Sequence, residues 1–71
     1  MADYKSAYQL EEMIADLAGF DKSHVLVMAV GDRGDFRAEF LGGIPAVNPS
    51  RARSDVDAAC QRLKTTFRLR I

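Results

Sequence analysis

The stretch that decides the fold is residues 24–41, which read His24-Val-Leu-Val-Met-Ala-Val-Gly-Asp-Arg-Gly-Asp-Phe-Arg-Ala-Glu-Phe-Leu41. Residues 24–30 are rich in β-branched side chains and too few for a stable helix, and residues 36–41 alternate apolar and polar side chains. Between them, Gly31 and Gly34 can adopt the positive φ that tight turns require. The stretch therefore predicts an antiparallel hairpin closed by a five-residue loop.

The register of this hairpin decides which face of the strands belongs to the core. With Val30 opposite Phe36, the expected core face carries Leu26, Met28, Val30, Phe36, Ala38 and Phe40. The second face then carries Arg37 and Glu39 of the second strand beside apolar residues of the first, so the first strand is apolar on both faces. Strands of that kind are usually covered on both sides. Either a helix crosses to the second face or another molecule covers it. We expect Val25, Val27 and Leu41 on that second face to form the interface of a homodimer.

Residues 4–18 predict an amphipathic helix. Apolar side chains recur with a 3.6-residue period on one side of it, namely Ala7, Leu10, Met13, Ile14, Leu17 and Ala18. Ser6 and Gln9 have the spacing of a capping box, and Asp3 is an alternative cap. We expect Gly19 to end the helix in the left-handed conformation.

The second half of the chain predicts a long loop, a helix and a short strand. Residues 42–53 contain two prolines and no sustained periodicity, so we expect a loop there. We favour a helix that begins at Ser54, and Asn48 followed by Pro49 is the alternative start. Residues 66–71 alternate like a strand, which we place beside the first hairpin strand, although Phe67 also fits a continuing helix.

Together these elements predict a single compact α+β domain over residues 1–71. The expected order is helix, strand, strand, helix and a last strand, in two layers, with both helices packed on one face of an antiparallel hairpin sheet. A chain of 71 residues buries only about 60% of its unfolded surface, so a monomer would be marginally stable. A second copy of the chain would add stability by mass action.

Composition excludes several classes of protein. With 48% hydrophobic residues and a net charge of zero, the chain is too apolar to be intrinsically disordered. No apolar run approaches the roughly 20 residues of a membrane-spanning helix. The first residues lack the pattern of a signal peptide, and Cys60 is the sole cysteine, so no internal disulfide can form. We therefore expect a cytoplasmic protein that has no membrane partner.

The side chains that carry catalysis or bind metals are scarce in this sequence. His24 is the only histidine and opens a strand on the expected core side, and Cys60 lies on the apolar face of the second helix. Glu12 and Asp16 lie one turn apart, but on a solvated face without a histidine. No phosphate-binding or dinucleotide-binding fingerprint is present. We expect no enzymatic activity, no metal and no cofactor.

The net charge of zero conceals two halves of opposite charge. Residues 1–35 carry seven acids and three bases, whereas residues 36–71 carry seven bases and three acids. Candidate phosphate contacts are the six bases of the last third, Arg51, Arg53, Arg62, Lys64, Arg68 and Arg70. A solvated helix face explains the same pattern, and Phe67 is the only aromatic side chain nearby that could stack on bases. Weak nucleic-acid binding is therefore the alternative function.

The leading hypothesis is a small protein-interaction module that acts stoichiometrically, as an adaptor or inhibitor of a larger protein. Its expected contact surface is the loop of residues 42–53, because connections usually run to about five residues and longer ones are often functional. Prolines limit the flexibility of this loop and so lower the entropy lost on binding. We expect Ile44, Val47, Arg51 and Arg53 to contact the protein partner.

Overall fold

The computed structural model describes residues 3–44 and 47–70. Over these residues the chain forms two α-helices and two short sheets, so the predicted mixed α+β class is confirmed. In chain order the elements are β1 (Asp3–Lys5), α1 (Ala7–Ala18), a 3-10 turn (Lys22–His24), β2 (Val25–Val30), β3 (Asp35–Phe40), α2 (Pro49–Lys64) and β4 (Phe67–Leu69). Within this part of the chain, no helix has the length and apolar character needed to cross a membrane.

Strands β2 and β3 form the predicted antiparallel hairpin, but in a different register. Val30 pairs with Asp35 rather than with Phe36. The turn therefore spans residues 31–34, with Gly31 at φ +71° and Gly34 at φ +82°. Because side chains alternate along a strand, this difference of one residue moves every β2 side chain to the opposite face.

The changed register puts two of the three predicted interface residues into the core. Val25 and Val27 are only 3% and 5% exposed, and they share a hydrophobic cluster with Phe36. The prediction that Val25 and Val27 face another chain is therefore wrong, because their side chains are already covered by this one. Leu41 does lie on the second face, where it is 55% exposed.

Helix α1 has the capping interactions that its sequence predicts. The Ser6 hydroxyl accepts a hydrogen bond from the Gln9 N–H at 3.2 Å, and the Gln9 side-chain oxygen accepts one from the Ser6 N–H at 2.9 Å. At the other end, Gly19 adopts φ +84° and its N–H donates to the Ala15 carbonyl at 2.8 Å. Of the two caps that the sequence allowed, Ser6 is the one used, while Asp3 belongs to β1 and the helix begins at Ala7 and not at Tyr4. The predicted left-handed glycine stop is confirmed.

Helix α2 begins at Pro49, so the favoured start at Ser54 is wrong and the alternative start is right. The Asn48 side-chain oxygen accepts hydrogen bonds from the N–H groups of Ser50 and Arg51, at 3.0 and 3.3 Å. Proline suits the first helical position because its missing N–H would have no partner within the helix there. The earlier start brings the second half of the predicted loop into the helix.

The last strand exists, but its neighbour differs from the predicted one. Strand β4 pairs in parallel with β1, with Asp3 opposite Phe67 and Lys5 opposite Leu69. On its other side the Leu69 N–H donates to the Gly34 carbonyl at 2.8 Å, which ties β4 to the hairpin turn. Placement of this strand beside β2 is therefore wrong, and Ile71, the last residue of the predicted strand, lies outside the described residues.

Apolar residues from both helices and from the hairpin form one core cluster. Helix α1 packs against β2 and α2, and α2 packs against β3. The buried members of the cluster are Leu10, Ile14, Ala15, Val25, Val27, Phe36, Val56, Ala59, Cys60, Leu63 and Leu69. Val25, Val27 and Phe36 share one face of the hairpin, and they belong to this cluster together with apolar residues of both helices.

Candidate protein-interaction surface

The hairpin face that points away from the core consists of two parallel rows of side chains, and we call it the outer face. Leu26 lies opposite Glu39, Met28 opposite Arg37 and Val30 opposite Asp35. Because alternate residues of paired strands share a face, the β2 row is aliphatic and the β3 row is charged. Leu41 extends the β3 row beyond the strand, and its N–H donates to the His24 carbonyl at 2.8 Å.

The aliphatic side chains of the outer face are open to solvent. Leu26 is 38% exposed and Val30 is 43% exposed. Met28 lies between them and is half-buried, with its sulfur 4.0 Å from Nη2 of Arg37. None of the three side chains belongs to the core cluster or is packed against it. Grouped apolar exposure of this kind marks interaction sites more often than scattered exposure does.

The free charges of the outer face are those of Arg37 and Glu39. Asp35 is engaged at the edge of the face, where its carboxylate accepts a hydrogen bond from the Phe36 N–H at 2.9 Å and lies 3.4 Å from Nζ of Lys64. The Phe36 hydrogen bond, more than the Lys64 charge, lowers the pKa of Asp35 below its ordinary value. Among the described residues, neither Arg37 nor Glu39 takes part in an ion pair.

The free edge of β2 is less available than the outer face. Oε2 of Glu11, on helix α1, accepts a hydrogen bond from the Val27 N–H at 3.0 Å. The Val25 N–H donates to the Lys22 carbonyl in the preceding 3-10 turn. Since an edge strand recruits another strand through its unpaired N–H and C=O groups, these two bonds hinder pairing along this edge.

The four residues predicted to contact a partner are divided between the connection before α2 and the helix itself. Ile44 and Val47 are half-buried in the connection before α2, and the Val47 N–H donates to the Ile44 carbonyl at 3.2 Å. Arg51 and Arg53 are exposed on α2, where a spacing of two residues directs their side chains to different sides of the helix. Pro45 of the same loop lies outside the described residues. That these residues bind a partner stays a prediction.

The six bases of the last third differ in how far the chain itself engages them. Nζ of Lys64 is used in the ion pair with Asp35 and lies 5.9 Å from the centre of the Phe36 ring. Nη1 of Arg68 donates to the carbonyls of Lys64 and Phe67, at 2.7 and 3.1 Å. The remaining four bases, Arg51, Arg53, Arg62 and Arg70, are exposed. Lys64 and Arg68 thus already have partners inside the chain.

His24 and Cys60 both make structural contacts. His24 was predicted to open the strand on its core side, but it ends the 3-10 turn before β2 and is half-buried. Its Nδ1 lies 2.9 Å from the Gly42 carbonyl, so that nitrogen carries the proton and donates. Cys60 is a buried free thiol, as predicted, and burial raises its pKa. Across the described residues, no group of three or more potential ligand side chains is placed to share a metal ion.

Sequence reasoning found half of this surface. It placed Arg37, Glu39 and Leu41 on the second face of the hairpin, but it assigned Leu26 and Val30 to the core. The signal that separates the two registers is the length of the turn, because Asp35 belongs to the strand and not to the loop. Comparisons of this chain with protein-family models, with curated proteins and with solved structures found no match.

Proposed function

We propose that this chain is a small non-enzymatic protein-interaction module that associates with a second copy of itself and acts stoichiometrically, as an adaptor or inhibitor of a larger protein. The observation that carries the proposal is the exposed aliphatic row of the outer face, formed by Leu26, Met28 and Val30. Burying apolar surface is the main driving force of most protein association. A row of aliphatic side chains on a 71-residue chain is therefore best explained by a partner that covers it.

A second copy is the occupant that the outer face suits best. Its two rows combine apolar side chains with one free positive and one free negative charge, so the face can be complementary to itself. The strands are roughly 20 Å long and the pair is roughly 10 Å wide, which is small for a stable interface. We therefore expect a weak dimer that forms only at high protein concentration.

Binding also agrees better than catalysis with how the potentially reactive side chains are used. Nδ1 of His24 donates to a backbone carbonyl, and Cys60 is buried with a raised pKa. A thiolate nucleophile needs a lowered pKa and access to solvent, and Cys60 has neither. A single cysteine, which can form no internal disulfide, fits a reducing, cytoplasmic setting.

The alternative function, weak nucleic-acid binding, rests on the exposed arginines Arg51, Arg53, Arg62 and Arg70. It is the weaker proposal because Lys64 and Arg68 are bound to groups of the chain itself. Phosphate contacts release counterions, so such binding must weaken steeply as salt increases. Titration with DNA and RNA at two salt concentrations tests this alternative: a steep salt slope supports it, and no binding at low salt excludes it.

Sedimentation equilibrium of three proteins tests the leading proposal. The unaltered chain should form dimers over a concentration series that reaches several hundred micromolar, and Leu26→Lys should be monomeric because a buried lysine charge opposes association. The matched control is Leu17→Lys, because Leu17 is also an exposed leucine, at 48%, but lies on α1. The control should dimerise like the unaltered chain. A monomeric unaltered chain, or equal loss of dimer in both variants, would contradict the proposal.

A further inference from the structure

The two rows of the outer face restrict how a second copy can pack on it. In one row lie Leu26, Met28 and Val30, and in the other lie the charged residues of β3. A twofold axis parallel to the strands would place the aliphatic row of each copy on the charged row of the other. That arrangement removes charges from water without giving them partners, which is costly. An axis across the strands instead places aliphatic on aliphatic and charged on charged.

The position of the axis along the strands is then set by the charges. An axis through the Met28–Arg37 pair would bring the two Arg37 side chains together, which is repulsive. An axis between Asp35 and Arg37 would pair Arg37 of each copy with Asp35 of the other. The Asp35 carboxylate, however, already lies 3.4 Å from Nζ of Lys64 in its own chain. An axis between Arg37 and Glu39 brings Arg37 of each copy opposite Glu39 of the other, so two such pairs form across the interface.

We propose, as a deepening of the dimer in the proposed function, that two copies stack face to face about a twofold axis that runs across the strands between the Leu26–Glu39 and Met28–Arg37 pairs. Two reciprocal Arg37–Glu39 ion pairs fix the register of the interface. In the same register, Leu26 of each copy packs against Met28 of the other. Stacked sheets lie about 10 Å apart, a gap that an arginine and a glutamate together span.

The unpaired state of the two charges within one chain supports this assignment. In the described part of the chain, the only hydrogen-bond contact of the Arg37 guanidinium with another side chain is the Met28 sulfur, 4.0 Å away. Glu39 likewise has no ion-pair partner among the described residues. An arginine and a carboxylate make geometrically specific pairs when water is partly excluded, so such pairs set register more than they add affinity.

Charge reversal tests this register. Arg37→Glu places two negative charges at the centre of the face, and Glu39→Arg places two positive charges there. Each variant alone should dimerise at least about tenfold more weakly than the unaltered chain, because like charges oppose each other. The double variant R37E/E39R should recover dimerisation to within about threefold, since it only exchanges the two partners. Mixing the two single variants should give a heterodimer that is tighter than either homodimer.

The controls separate this inference from the proposed function. Arg62→Glu reverses a charge on α2, away from the outer face, and should leave dimerisation unchanged. Circular dichroism of each variant checks that it is folded. If Arg37→Glu or Glu39→Arg is unfolded, the neutral variant of the same residue, Arg37→Gln or Glu39→Gln, is measured in its place. If the unaltered chain dimerises but the single reversals do not weaken it, or if neither the double variant nor the mixture recovers, this register is overturned while the dimer stands. A monomeric unaltered chain overturns the dimer itself.

Discussion

Gly34 is the residue whose identity the hairpin turn depends on most. It has φ +82°, and a Cβ at this position would lie 3.1 Å from Cβ of Arg68 and 3.3 Å from the Leu69 carbonyl oxygen. Gly31, at the other end of the turn, has φ +71°, but a Cβ there would meet nothing within 4 Å. Both positions thus require a positive φ, but only at Gly34 would an added Cβ crowd neighbouring atoms.

We therefore predict that Gly34→Ala destabilises the fold more than Gly31→Ala. The left-handed conformation alone costs about 1–2 kcal/mol for a residue with a Cβ, and Gly31→Ala should lose about that much. Gly34→Ala should lose more, because β4 has to move away from the turn. Urea denaturation of the two variants measures the difference. Equal losses would mean that the contact between the turn and β4 contributes little to stability.

Glu11 has a structural role that the sequence did not predict. It belongs to helix α1, and its carboxylate accepts a hydrogen bond from the Val27 N–H at 3.0 Å. No local pattern predicts this contact, because the two residues are 16 positions apart in the chain. Glu12, its neighbour, is exposed and lies 4.0 Å from Nζ of Lys22.

We predict that Glu11→Ala lowers the free energy of unfolding by about 1–2 kcal/mol, because it leaves the partly buried Val27 N–H without an acceptor. Glu12→Ala should change it by less than about 0.5 kcal/mol, as expected for an exposed ion pair. Glu11→Gln keeps an acceptor oxygen and should lie between the two. Thermal and urea unfolding provide the measurement, and a loss in Glu12→Ala as large as that in Glu11→Ala would argue against an edge-protecting role.

At the scale of elements, the sequence predicts best where one local signal has no competitor. The Ser6 capping box and Gly19 define α1 at its two ends. Gly19 was predicted, and Ser6 was one of the two caps that the sequence allowed. Strand β3 alternates clearly, so its core face was also predicted. Strand β2 is apolar on both faces, and its hydrophobic pattern therefore fits either register. Only the turn length distinguishes the registers, and Asp35 is acceptable both as a loop residue and as a strand residue.

Strand β1 was not predicted, for a different physical reason. It spans only Asp3–Lys5, and it is a strand because it pairs with Phe67–Leu69 at the other end of the chain. Three residues carry no periodicity that can be read locally. The partner of β4 could not be predicted either, because it depends on where the tertiary fold brings the two segments together.

The start of α2 shows two competing local signals, and it supplies a prediction. Asn48 followed by Pro49 and Ser54 followed by Asp55 both have the chemistry of a helix start. Because Asn48 caps the helix, Asn48→Ala should cost about 1 kcal/mol of stability. Ser54→Ala should be neutral or slightly stabilising, since alanine is the better helix former at an interior position. Urea denaturation compares the two, and the reverse order of losses would favour a helix that begins at Ser54.

At the scale of the whole molecule, the opposite charges of the two halves do not appear as ion pairs between the helices. The ion pairs in the described residues join Lys22 to Glu12 and Lys64 to Asp35. The second of these connects the basic half to the acidic half at the edge of the hairpin. The charge asymmetry between the halves therefore yields one ion pair in the described residues, that of Lys64 with Asp35. The charges of Arg37 and Glu39 stay free on the outer face.

We propose that the outer face, and no other part of the surface that the structure describes, meets a second copy of the chain. Methyl NMR spectra recorded over a dilution series test it most directly. We predict that the methyl resonances of Leu26, Met28 and Val30 shift with concentration, while those of the core residues Val25 and Val27 stay fixed. Spectra that do not change with dilution, or shifts confined to Leu17 on the helical side, would contradict the claim.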